Sequence, residues 1–164
     1  MTANAVPVYH DESIDGPLTT SPPFSFNAGT NVILGQSCYT DLTVSPCGPA
    51  SIDEFRFIIG GNELLTAVRL TIFDFEFENG DPVFFQGNLF DPIGFNSVKL
   101  LTGTRSFASF DGGPGQFRAS VGSFRVGVFP SNFLAANYMW QFDVIAVPEP
   151  STLALLPLAC SDLA

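Results

Sequence analysis

The chain has 164 residues, a length that holds one ordinary domain with a sizeable core but not comfortably two. Charged residues are only 13% of it and hydrophobic ones 46%, which excludes a disordered chain and a coiled coil. Six Lys and Arg against 16 Asp and Glu leave a net charge of −10, which repels phosphate backbones and anionic lipid and excludes nucleic acid as a partner.

The aromatics are 18 Phe, 3 Tyr and 1 Trp, accompanied by 15 Gly and 13 Pro. Phe suits pleated, half-buried surfaces, while Gly and Pro punctuate turns, so the composition points to an all-β fold. One His and three Cys leave little vocabulary for zinc or for nucleophilic catalysis.

In chain order, residues 1–26 are rich in Pro, Ser, Thr and acids and read as an irregular lead-in with a possible edge strand. Asn31-Val32-Ile33-Leu34 is a short strand ended by Gly35. Cys38 and Cys47 are bracketed by turn residues and are expected to close a small disulfide loop, which on the entropic account restricts the unfolded chain by about 2.5 kcal/mol. Asp53-Glu54-Phe55-Arg56-Phe57-Ile58-Ile59 alternates with period two before Gly60-Gly61, the pattern of a half-buried strand.

Between Leu65 and Glu78 the alternation continues but its phase flips. Val68, Leu70 and Ile72 are even-numbered, whereas Phe73, Phe75 and Phe77 are odd, so a bulge or break is expected at Ile72 and Phe73. Asn79-Gly80-Asp81-Pro82 is the strongest turn, and Val83-Phe84-Phe85 restarts a strand. Lys99-Leu100-Leu101 is a weaker strand signal, and Asp111-Gly112-Gly113-Pro114-Gly115 a loop. Phe124, Val126 and Val128, then Trp140, Phe142 and Val144, alternate with polar or small residues as two closing strands. No window carries a capped 3.6-residue apolar stripe, so helix is expected to be minor. The cheapest burial of so many Phe rings is an antiparallel two-layer β-sandwich over 27–146, jelly-roll-like.

Catalytic constellations are thin. His10 lies in the lead-in with no locatable nucleophile, is expected on the surface, and no Gly-x-Ser-x-Gly elbow occurs. Asp74, Glu76 and Glu78 share one strand face and read as solvated acids rather than a glycosidase pair. The chain is expected not to be an enzyme. Ca²⁺ is a weak cofactor candidate, with Asp11, Asp15 and Asp53 as its possible ligands. Trp140 is in phase with core residues, leaving Tyr9, Tyr39 and Tyr138 as sparse candidates for a sugar platform.

The last stretch, 147–164, changes character. Val147-Pro148-Glu149-Pro150-Ser151-Thr152-Leu153-Ala154-Leu155-Leu156 cannot join a sheet interior and resembles the PEP-CTERM sorting signal of secreted bacterial proteins. That resemblance implies a sorting role for Pro148, Glu149 and Pro150, an exosortase as partner, and an extracytoplasmic destination in the envelope or the exopolysaccharide matrix for the full-length form. The run Leu153–Cys160 is roughly 12 Å of helix against a hydrocarbon core of about 30 Å, so no membrane span is expected in this chain. The family's terminal Arg cluster and a signal peptide are also missing, so the chain is expected to be truncated at both ends relative to the full-length form. The body loosely resembles bacterial pre-peptidase C-terminal β-sandwich domains through Asp11-Glu12-Ser13-Ile14-Asp15-Gly16, Ile52–Phe57 and Gly127–Trp140. The expected function is a non-enzymatic structural or adhesive one, with a carbohydrate- or Ca²⁺-binding accessory module as the alternative, and extracellular polysaccharide as a possible partner.

The disulfide expectation has a direct check. Alkylation of the unfolded, unreduced protein followed by peptide mass spectrometry should leave Cys38 and Cys47 unmodified and linked to each other; modification of both refutes the pairing.

Overall fold

The computed structural model describes residues 6–18, 22–40, 52–77, 83–125 and 133–148. In these residues the strands are β1 (Tyr9–Asp11), β2 (Phe24–Phe26), β3 (Gly29–Thr40), β4 (Asp53–Ile59), β5 (Glu63–Phe77), β6 (Val83–Phe90), β7 (Phe95–Leu100), β8 (Gly103–Ser106), β9 (Gly115–Arg125) and β10 (Phe133–Ala146). The helix among them is a single turn, α1 (Glu12–Asp15). One sheet has the order β1-β3-β10-β5-β8 and the other β2-β4-β9-β6-β7. The two pack face to face as an all-β sandwich.

Period two decides which side chains are inside. In β4, Asp53, Phe55, Phe57 and Ile59 are buried while Glu54, Arg56 and Ile58 point outward. In β10, Ala136, Tyr138, Trp140, Phe142 and Val144 are buried, and in β9 Phe117, Ala119 and Val121. Rings from opposite layers meet in the middle: Phe57 of one sheet lies 4.7 Å from Phe142 of the other, and Phe26 lies 4.5 Å from Phe57 and 4.9 Å from Phe142. Trp140 stacks on Phe107 and Phe142 at 5.4 and 5.7 Å. Such offset and tilted contacts add about 0.5–1.5 kcal/mol per pair to the area term.

Three features depart from the sequence reading. The ladders are antiparallel except at one edge, where β1 pairs with β3 and β2 with β4 in parallel; the sheets are therefore mixed, and the stretch before residue 27 supplies an edge strand to each. β3 does not stop at Gly35 but runs through it, because Gly35 lies opposite Tyr138 and a Cβ there would strike the Tyr138 hydroxyl and the Glu12 carboxylate. Gly87 has the same use in β6, where a Cβ would run into Leu70 and Trp140.

The phase flip in β5 is a bulge one step beyond its expected place. Asn137 pairs with Phe73 but Ala135 with Glu76, and Asp74 takes a φ of +47°, the left-handed conformation that absorbs the extra residue. A second irregularity at Asp143 and Val144 shifts the pairing from Ala67 to Leu65, which returns Leu65 and Val68 to the same buried side. The Asn79–Pro82 turn and the Val126–Val128 segment lie outside the described residues.

Phe142 sits where the aromatic groups of both layers converge. Phe142→Ala is expected to lower unfolding stability by about 3–5 kcal/mol, read as a shifted urea midpoint with an unchanged slope.

Candidate functional site

The parallel edge strand β1 delivers α1 to one end of the sandwich. Asp11 caps the turn: its carboxylate accepts the Ser13 N–H at 2.9 Å and the Ser13 hydroxyl at 2.6 Å, and these bonds, the hydroxyl first, hold the Asp11 carboxyl below its usual value. The turn swings Glu12 back over β3. One Glu12 oxygen accepts the Leu18 N–H at 2.8 Å; the other accepts the Gln36 N–H at 3.2 Å and the Tyr138 hydroxyl at 3.4 Å. A single carboxylate thus ties the lead-in, β3 and β10 together, and the missing side chain of Gly35 makes room for it.

Asp53 approaches the same hydroxyl from the other sheet. It faces inward at the start of β4, is 7% exposed, and its Oδ2 has no hydrogen-bond partner among the described residues. Burial pushes its pKa up to about 7, the charge of Glu12 adds to the rise, and the Tyr138 hydroxyl partly offsets it. Tyr138 is in turn pushed well above its normal range by burial and then by the charges of Asp53 and Glu12. One phenol proton cannot satisfy two carboxylates, so Asp53 exchanges its proton near neutral pH. Chemically this is a buried carboxyl, Asp53, that takes up a proton around neutral pH beside the half-buried Glu12.

The sequence candidates are placed as follows. His10 is not on the surface: it is 8% exposed, its Nε2 lies 3.1 Å from the Gly16 carbonyl, its Nδ1 lies 3.8 Å from Asp15, and its ring meets Phe24 edge-on at 5.2 Å. β1 places it inward beside Ile33, a position invisible while the lead-in reads as irregular. Asp15 accepts the Asp11 N–H at 2.9 Å, closing the α1 turn. Asp11, Asp15 and Asp53 therefore serve two different jobs, and among the described residues no three His, Cys, Asp or Glu side chains are gathered as a cation cage. Tyr138 is 1% exposed and is no sugar platform; Tyr9 is 63% exposed. Asp74 is exposed and accepts a bond from Asn137 at 3.4 Å.

Asp111–Gly115 forms a turn whose Gly112 carbonyl accepts the Leu65 N–H at 2.8 Å. Pro148 is exposed beyond the end of β10. Glu149, Pro150, Glu78 and Cys47, and the side chains of Cys38, Tyr39 and Glu76, lie outside what is described. The link between Glu12 and Tyr138, the latter read only as a sugar-platform candidate, was missed from the sequence. They are 126 residues apart, and no local pattern joins them. Compared with protein-family models, curated proteins and solved structures, the chain has no match in any of the three.

The Asp53 carboxyl is protonated below about pH 7 in the folded state but only below about pH 4 when unfolded. The folded state therefore binds the extra proton in that window, and stability falls as pH rises through it, by on the order of 3 kcal/mol, then levels off. Asp53→Asn keeps the shape and removes the titration. Its urea midpoint should match the parent near pH 4 and exceed it at pH 8, and the absence of a pH-dependent gap would refute the assignment.

Proposed function

We propose that this is a non-enzymatic structural or adhesive protein of the bacterial envelope or extracellular matrix, carried there in its full-length form by a Pro-Glu-Pro sorting signal read by an exosortase. The observation that carries the reading is how the chain leaves the fold. β10, which pairs with both β3 and β5, ends at Ala146; Val147 is pinned by its N–H to the Asn62 carbonyl at 2.8 Å, and residues 145–148 are exposed. A signal starting at Pro148 then begins at the periphery, where an enzyme grips it without unfolding the sandwich. Among the described residues no helix is long and apolar enough to cross a membrane.

The strand order supports the jelly-roll reading of the body. After the two N-terminal edge strands, β3-β10-β5-β8 face β4-β9-β6-β7, so each layer alternates early and late strands as two interlocked Greek keys do. The only His is held by the Gly16 carbonyl and Asp15, a structural use that favours a non-catalytic role.

The test is made from the native locus in a host carrying an exosortase. The parent should reach the surface or matrix fraction with a mass reduced by processing near residue 150, and a variant with Pro148, Glu149 and Pro150 all changed to Ala should remain unprocessed. Equal processing and distribution of the two would overturn the proposal.

A further inference from the structure

The outer face of the sheet β2-β4-β9-β6-β7 has a charge balance opposite to that of the chain. Its outward positions carry Arg56, Lys99 and Arg118, three of the chain's 6 basic residues, and among the described residues one carboxylate, Glu54. The local balance is 3 − 1 = +2, on a protein of net charge −10. Arg56 and Arg118 are directly opposed across the β4–β9 ladder, an arrangement that repels. Arg118 is partly relieved by Glu54 at 3.5 Å; Arg56 is exposed and forms no ion pair among the described residues.

The cations are set on rings. The Arg118 guanidinium lies 3.8 Å from the centre of Phe90, and the Lys99 ammonium 4.7 Å from that of Phe84. Phe90 in turn packs on Phe95 at 4.8 Å, and Phe95 is 53% exposed although it faces water. Register puts Arg56, Arg118, Phe90 and Phe95 in one row across four strands. The next row is Glu54, Ser120, Asn88 and Ser97: Asn88 accepts from Gln86 at 2.8 Å and donates to the buried Ser120 at 3.2 Å, while Ser97 at the β7 end is exposed.

We infer that this face binds an acidic polysaccharide, a linear chain of sugars carrying spaced carboxylates. This deepens the matrix reading above, on which it rests, by naming the matrix component held. The row of two guanidiniums meets carboxylates in the planar, bidentate way that Arg favours. The exposed Phe95 ring offers a sugar's C–H face a flat apolar surface, and the part-exposed Asn88 and exposed Ser97 beside it supply a donor and acceptors to sugar hydroxyls. A polyanion as dense as nucleic acid, with one charge per roughly 1.7 Å, meets too few cations here against the repulsion of the whole molecule. A sparser one meets the face's own charges at contact.

The test uses the purified chain and immobilised alginate as probe, with EDTA present so that no divalent ion bridges the two, at about 0.15 M ionic strength. Alginate should retain the protein, neutral dextran should not, and raising the salt to about 1 M should release it. Arg56→Ala, which removes no ion pair among the described residues, should weaken retention roughly threefold, and the Arg56→Ala, Arg118→Ala pair at least tenfold, with the urea midpoint of the single variant not lowered. Failure of alginate to bind, equal retention on dextran, tighter binding to poly-glutamate, or indifference to both Arg variants would each overturn the inference. The sorting proposal fails separately, through the processing of the tail alanine variant, which this column assay does not touch.

Discussion

The contact among Phe26, Phe57 and Phe142 is what the remainder of the molecule is arranged around. Phe57 and Phe142 come from different layers, and Phe26 belongs to the parallel edge strand β2, so one knot of rings at 4.5–4.9 Å joins both sheets and the lead-in. Because side chains alternate strictly, fixing these three inward fixes the register of β2, β4 and β10. The outward positions follow. The placement of Arg56 and Arg118 on the outer face is thus a consequence of Phe55 and Phe57 being inside, and the surface chemistry is set by the core.

At the end of the sandwich where β4 begins, hydrogen bonding is incomplete among the described residues. Asp53 Oδ2 and Ser37 Oγ are buried without partners among the described residues, and Ser37 lies two positions along β3 from Gly35. Buried polar groups left unpaired cost about 1–3 kcal/mol each, and a third, Trp140 Nε1, lies among the core rings. Ring packing therefore offsets unpaired polar groups both at the acid end and in the aromatic centre itself.

What the sequence made legible is what alternation alone controls. β4 was readable because Phe55, Phe57 and Ile59 alternate with Glu54, Arg56 and Ile58; the β5 bulge because its phase flips; the burial of Trp140 because it keeps step with Phe142 and Val144. What escaped depends on non-local geometry. Gly35 reads locally as a strand end, and only its opposition to Tyr138 makes it a strand interior. β1 and β2 are three residues each, too short to show a period, and their inward-facing His10 and Phe26 gain meaning only from Ile33 and Phe57 beside them. β8 is exposed along its whole length and leaves no apolar signature. The cluster of Glu12, Asp53 and Tyr138 was illegible because its three members come from α1, β4 and β10, with nothing in spacing to associate them.

Net charge is likewise a property of the whole chain that does not describe its faces. On the opposite sheet Arg69 is paired with Asp143 at 2.5 Å, and Asp143 also accepts a bond from Thr30 at 2.8 Å, so the Arg69 charge is neutralised locally. Packed sheets lie about 10 Å apart, so acids carried by the far layer act on a chain lying on the β4–β9–β6–β7 face from a longer distance, while the row of Arg56 and Arg118 acts at contact. The excess of acids keeps the molecules apart from one another and from dense polyanions; the local excess of cations decides what one face holds.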